Sequence, residues 1–234
     1  MKITKIWATT FILATNLPVE IHAEDSKFYV GAGIGNSSLS FNSSDFGTQL
    51  PDAVRDTKTQ DTAYKFFAGY DFTKTFGAEF GYADFGSFNY RVNPTYPGGS
   101  PTGDLYSFRY RAASLFADGK ATMTVSGLFS VYGKLGLDLN RVENASSGDV
   151  NKSNIPTGVP GTPIANYAYS SVFGTQGSNT SYRLNRLFGV GAEMKASVRT
   201  SLRLEFEDYG EFGNQNNTGR ARISTVSFDL IYRP

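Results

Sequence analysis

The chain has 234 residues, room for one domain, and no cysteine, which excludes a disulfide framework and a thiolate metal site. Charged residues are only 18% of the total and sum to a formal charge of +1, which gives no support to a nucleic-acid partner. With 19 Phe, 14 Tyr and 25 Gly, the composition is that of membrane strands with aromatic girdles rather than of a soluble helical protein.

Residues 1–23 read as a secretory signal peptide. Lys2 and Lys5 form a positive start, Trp7 to Leu17 a short apolar run, and Ile21-His22-Ala23 a cleavage site. Without them, residues 24–234 carry 20 basic and 20 acidic side chains. No later stretch approaches the roughly 20 consecutive apolar residues of a membrane helix. An exported chain of this kind is either soluble or a closed barrel, because hydrocarbon leaves open sheet edges unsatisfied. The slightly negative mean hydropathy does not count against a barrel, since alternating faces cancel in the mean.

Period-2 alternation predicts eight strands in residues 24–234. Phe28, Val30, Ala32 and Ile34 form the first apolar face, over Tyr29, Gly31, Gly33 and Gly35. Tyr64, Phe66, Ala68, Tyr70 and Phe72 form the second, with Lys65 and Phe67 between them. Phe76, Ala78, Phe80 and Tyr82 form the third, over Gly77, Glu79 and Gly81. The fourth is read as Tyr106, Phe108, Tyr110, Ala112, Ser114 and Phe116, over Ser107, Arg109 and Arg111. The fifth runs from Val125 and Phe129 through Val131, Leu135, Leu137 and Leu139, over Tyr132, Lys134, Asp138 and Asn140. Phe188, Val190, Ala192 and Met194 form the sixth, over Gly189, Gly191 and Glu193. Leu202, Leu204 and Phe206 form the seventh, over Arg203, Glu205 and Glu207. Val226, Phe228, Leu230 and Tyr232 form the last, over Thr225, Ser227 and Asp229.

Short and long connections alternate. The short ones are Thr73 to Thr75, Ala117 to Thr122 with its Asp118-Gly119 pair, and Ala196 to Thr200. The long ones are Asn36 to Asp61, Ser87 to Gly103, Arg141 to Ser181 and Gly210 to Ala221. Outer-membrane barrels have short periplasmic turns and long extracellular loops, and a soluble barrel has no reason to sort them so. The expected fold is an all-β, eight-stranded antiparallel up-and-down transmembrane β-barrel, placed in the outer membrane of a Gram-negative bacterium.

The sequence resembles the transmembrane domain of the OmpA family. The carrying residues are Phe28-Tyr29-Val30-Gly31-Ala32-Gly33, Gly77-Ala78-Glu79-Phe80-Gly81-Tyr82 and Val131-Tyr132-Gly133-Lys134-Leu135-Gly136. Phe188-Gly189-Val190-Gly191-Ala192-Glu193 and Leu202-Arg203-Leu204-Glu205-Phe206 continue the match. The family's best-known members add a periplasmic, peptidoglycan-binding domain, for which no counterpart is read here. The family also ends on an aromatic where this chain has Pro234; Tyr232, with Leu230 and Phe228, is the expected assembly signal.

The resemblance implies an interior ion-pair network at Glu79, Lys134, Glu193 and Arg203, extended by Arg109, Arg111 and Glu205. One reading makes it a polar core that plugs the barrel, since eight strands leave a lumen that side chains fill. The alternative is a gate, in which the acids exchange partners and open a narrow path for small solutes. Phe72, Phe76, Phe116, Tyr70 and Tyr232 are expected to form the periplasmic aromatic girdle. His22 is the only histidine and falls within the signal peptide, so a Ser–His mechanism is not expected in residues 24–234. No catalytic, cofactor or metal site is expected. The expected partners are outer-membrane lipid, lipopolysaccharide, the barrel assembly machinery, and host surfaces or phage meeting the loops; the expected state is a monomer. A soluble lipocalin-like carrier would instead turn polar faces outward.

Overall fold

Residues that alternate between large apolar and small or polar side chains can satisfy two environments at once, provided that their strands pair side by side into a ring. The computed structural model describes residues 27–40, 54–92, 106–147, 177–214 and 218–234. The signal peptide read at 1–23 and much of the long connections lie outside the described residues. The strands are β1 (Phe28–Ser40), β2 (Val54–Lys58), β3 (Gln60–Asp71), β4 (Phe76–Val92), β5 (Tyr106–Thr124), β6 (Phe129–Ser147), β7 (Gly177–Lys195), β8 (Thr200–Asn214) and β9 (Gly219–Tyr232). Only Thr59 separates β2 from β3, and both pair with β4, so they form one stave of eight. All pairings are antiparallel. β1 pairs with both β3 and β9, and β4 with β5, which closes the barrel.

The registers fix its geometry. A path of paired residues from Phe129 passes through Met194, Leu202, Leu230, Ala32, Phe66, Tyr82 and Leu115 and returns to β6 at Leu139, ten residues on. For eight strands that stagger sets a tilt of roughly 40°. Every residue on this path is an outward apolar side chain. A parallel path from Ser130 runs through Glu193, Arg203, Asp229, Gly33, Lys65, Ala83, Ser114 and Asn140, and is polar or small throughout. Phe80, Leu137 and Leu204 are 61%, 53% and 58% exposed, whereas Glu79, Lys134 and Arg203 are 3%, 1% and 0% exposed.

The three short turns share one device. Thr73, Ser126 and Ser197 each accept hydrogen bonds on the side-chain oxygen from the backbone N–H groups two and three residues ahead, at 2.9–3.4 Å. The hydroxyl satisfies amides that no neighbouring strand reaches. At the other end, register shifts lie between Asp84 and Ser87 on β4 and between Asp208 and Glu211 on β8. Gly86 and Gly210 supply a positive φ there, as a bulge requires.

Two expectations need correction. The Asp118-Gly119 turn does not form: β5 pairs with β6 without a break to Thr124↔Ser130, and the reversal falls at Ser126. The face of β5 is also reversed. Tyr110, Ala112, Ser114 and Phe116 are buried, and Arg109 and Arg111 are exposed. Phe116 therefore leaves the girdle, while Tyr70, Phe72, Phe76 and Tyr232 are exposed as expected. The reason is the lining of the long-loop half of the barrel, which is aromatic. Phe85 packs edge to face on Tyr209 at 4.7 Å and on Phe212 at 5.3 Å, with Phe116, Leu187 and Ile223 buried beside them. A tight interior of rings draws the aromatic side of β5 inward, where hydrophobicity alone suggests lipid. The strands β8 and β9 also extend past the expected connection, to Asn214 and from Gly219.

A charge on the outer wall should cost stability according to depth. Arg in place of Phe80, Leu137 or Leu204 is expected to cost about 2–4 kcal/mol, and in place of Phe76, beside a short turn, about 0–1 kcal/mol. Urea titration of the protein refolded in lipid vesicles measures both; equal costs at the two depths would contradict a membrane-facing wall.

Candidate functional site in the barrel interior

The inward positions of β1 and of β3 to β9 converge on one mesh of charges in the short-turn half of the barrel. Small residues make the space. The inward face of Gly69 is covered by the Tyr29 ring and that of Gly191 by the Tyr132 ring, so a β-carbon at either glycine would collide with a ring that holds the mesh.

Arg203 is fully buried. Its Nη1 lies 2.9 Å from Glu79 Oε1 and 3.6 Å from Glu205 Oε2, and its Nη2 lies 3.2 Å from Glu193 Oε2. The guanidinium sits 4.7 Å from the Tyr132 ring centroid and 5.1 Å from that of Phe67, where a flat cation is attracted to the ring faces. Lys134 Nζ is 2.6 Å from Glu79 Oε2, 2.7 Å from Glu205 Oε2 and 3.5 Å from Glu207 Oε1. Lys65 pairs with Glu205, with Glu207 at 2.9 Å and with Asp229 at 3.2 Å. Lys120 donates to Tyr29 Oη at 2.7 Å and lies 3.2 Å from Asp71. Tyr29 donates in turn to Glu79 Oε1 at 2.6 Å, Tyr132 donates to Glu205, and Tyr209 donates to Glu207 at 2.8 Å. At the floor, Arg233 Nη2 reaches Glu193 Oε1 at 3.0 Å.

The mesh is multiply connected. Glu79 contacts Lys134, Arg203 and Lys120, and Glu205 contacts Lys65, Lys134 and Arg203. Such redundancy offsets the cost of taking charges out of water, which an isolated pair rarely does. Asp118 stands apart: it is buried, and neither side-chain oxygen has a hydrogen-bond partner among the described residues.

Glu79, Lys134, Glu193 and Arg203 are thus brought together. Arg109 and Arg111, expected with them, are not. Both lie on the outer face of β5, because Tyr110 and Ala112 take the inward positions. Sequence reasoning left out Lys65, Glu207 and Asp229, although each occupies an inward position in the alternation of its own strand. It left out Lys120 because a turn was expected there, and it placed Tyr29 and Tyr132 opposite the apolar faces without assigning them hydrogen-bond partners.

Removing one partner should cost far more than a surface pair would. Arg203→Met is expected to lower unfolding stability by about 3–5 kcal/mol, and adding Glu79→Gln should recover part of that loss. Urea midpoints of the single and double variants test it; strict additivity would mean that the two side chains do not act together.

The OmpA-like transmembrane domain family matches residues 23–234. No curated protein matches the sequence. Similar solved structures include Ail, the attachment invasion locus protein of Yersinia pestis, with 13% identity and a TM-score of 0.42 over 88% of this chain and 98% of that one. Neisserial surface protein A has 15% identity and a TM-score of 0.45 over 89% of this chain and 98% of its own. The outer membrane protease OmpT of Escherichia coli has 9% identity and a TM-score of 0.47 over 90% of this chain and 99% of its own. With an alternating wall that closes on itself and a family match over nearly its whole length, the chain belongs to the OmpA-like transmembrane domain family and is an outer-membrane β-barrel.

Proposed function

We propose that this protein is a sealed barrel that works at the cell surface: it anchors long extracellular loops, and its lumen is plugged by charge. One observation carries the reading. Large side chains occupy both halves of the interior: the Glu79–Lys134–Arg203–Glu205 mesh in the short-turn half and the Phe85–Tyr209–Phe212 cluster in the long-loop half. Water and solutes would have to displace both fillings to pass. In this reading residues 1–23 direct export and are removed. The C-terminal strand engages the barrel assembly machinery, and the monomer sits among lipid and lipopolysaccharide with its loops free to meet host surfaces or phage.

A second reading, a gated narrow pore, is favoured by the three cations that share Glu79. Exchange among them could open a path past the mesh. It must also part the aromatic cluster, for which the ion pairs provide no lever.

Single-channel recording in planar bilayers separates the two. The sealed reading expects silence from the wild type and from Lys134→Ala alike; discrete openings in either would favour the pore. Replacing residues 148–176 by a short Gly/Ser linker is expected to leave heat-modifiable gel mobility intact and to abolish attachment of expressing cells to host-cell layers. Unchanged attachment would remove that loop from the surface role.

A further inference from the structure

The outer wall is uneven. Its exposed positions are mainly Phe, Tyr, Leu and Val, but Ala68 on β3, Ala78 on β4 and Ala117 and Gly119 on β5 are small. The registers bring these four together: Ala78 lies opposite Gly119, and Phe80 is paired with Ala68 on one side and Ala117 on the other. They floor a groove of about 590 Å³, walled by Phe28, Tyr70, Phe80 and Leu137. A β-carbon at Gly119 would meet only the Leu135 carbonyl oxygen, at 3.8 Å, so the groove is open toward lipid. It climbs from Phe28 and Tyr70, beside the short turns, to Leu137, which stands eight residues along β6 from Phe129.

Two cations stand at the short-turn end of the groove. Lys27 immediately precedes Phe28, and Lys74 lies in the turn between β3 and β4, two residues before Phe76. The Lys27 carbonyl accepts a hydrogen bond from the Asp71 backbone N–H at 2.7 Å, which holds the start of β1 against the end of β3. Both lysines are exposed, and among the described residues neither has an ion-pair partner. The carboxylate beside them, Asp71, is engaged elsewhere, by Lys120 at 3.2 Å and Arg233 at 3.8 Å.

We propose that the groove and its two lysines seat one anionic phospholipid of the inner leaflet, with an acyl chain over Ala78 and Gly119 and the phosphate against Lys27 and Lys74. The inference uses the outer wall alone and stands apart from the sealed-lumen reading. Lipid tails are as apolar as leucine, so release from water provides no drive here. A groove provides close packing instead, which small residues permit. The lysines select the head group: they attract a net negative phosphate diester, whereas phosphatidylethanolamine carries its own ammonium. Short turns lie on the periplasmic side of such barrels, which makes the inner leaflet the source. A second copy of the chain is a poorer occupant. Docking through the same face would press Lys27 and Lys74 toward their equivalents.

The test uses the folded protein in neutral detergent, given phosphatidylglycerol or phosphatidylethanolamine and followed by native mass spectrometry. One phosphatidylglycerol is expected to stay on each barrel, about tenfold more tightly than phosphatidylethanolamine. Lys27→Gln combined with Lys74→Gln should abolish that preference and leave phosphatidylethanolamine binding unchanged. Ala117→Leu combined with Gly119→Leu fills the groove from the lipid side and should weaken both lipids about tenfold. Should that pair fail to fold, Ala117→Leu alone is expected to weaken both by a smaller factor. Arg109→Gln combined with Arg111→Gln, at the long-loop end, should behave as wild type. Equal retention of the two lipids by the wild type, or undiminished retention by the filled variants, overturns the proposal. So does equal binding of glycerol phosphate, which has the head and no chain, or a barrel dimer that the filled variants lose. Failure of the barrel reading shows separately, as the absence of a heat-modifiable folded band before any lipid is added.

Discussion

Hydrocarbon offers no hydrogen bonds, so each backbone N–H and C=O that enters it must find a partner within the protein. Pairing of the first strand with the last meets that demand here: β1 binds β3 on one edge and β9 on the other, and β4 binds β5, so the pairings of the described residues run round the ring. The rest follows from closure. A closed ring of two-faced strands has one wall in lipid and one lumen, and the side-chain period sends every second residue to each. The Ser and Thr turns and the glycine bulges serve the same requirement where the ladder reverses or slips.

Closure leaves an interior that gathers charged side chains in one half and aromatic rings in the other. A buried ion pair is weak support for stability by itself, because desolvation consumes most of the attraction. The arrangement around Glu79, Lys134, Arg203 and Glu205 shares each charge among several partners and adds tyrosine hydroxyls and ring faces, so no single contact carries the cost. In the long-loop half Phe85 packs edge to face on Tyr209 and Phe212, and the Tyr209 hydroxyl reaches back to Glu207. This division explains why charged side chains gather near the short turns.

Most of the barrel was legible in the sequence because period 2 is a strong signal wherever the inner residues are small or charged. Phe80 against Glu79, Leu137 against Lys134 and Leu204 against Arg203 could each be assigned from neighbours alone. The signal failed on β5, where aromatic residues line the interior and arginines the exterior. Hydrophobicity cannot tell a ring that faces lipid from one packed in a lumen; that depends on Phe85 and Tyr209 from other strands. The same failure hid Lys120, which fell inside an expected Asp-Gly turn. The central charges were legible through alternation and resemblance, whereas the contacts of Lys65 and Asp229 required the cross-barrel geometry.

The ten-residue stagger carries a consequence for how such a chain can change over time. Each paired path spirals up the wall as one continuous thread, so adding or dropping a single residue within a stave would turn every side chain beyond it to the opposite side. Lipid would then meet Glu79 or Lys134, and the lumen would have to admit Phe80 or Leu135. Length variation is therefore confined to the connections, apart from places such as Gly86 and Gly210, where a bulge absorbs the extra residue and lets the two halves keep separate reading frames.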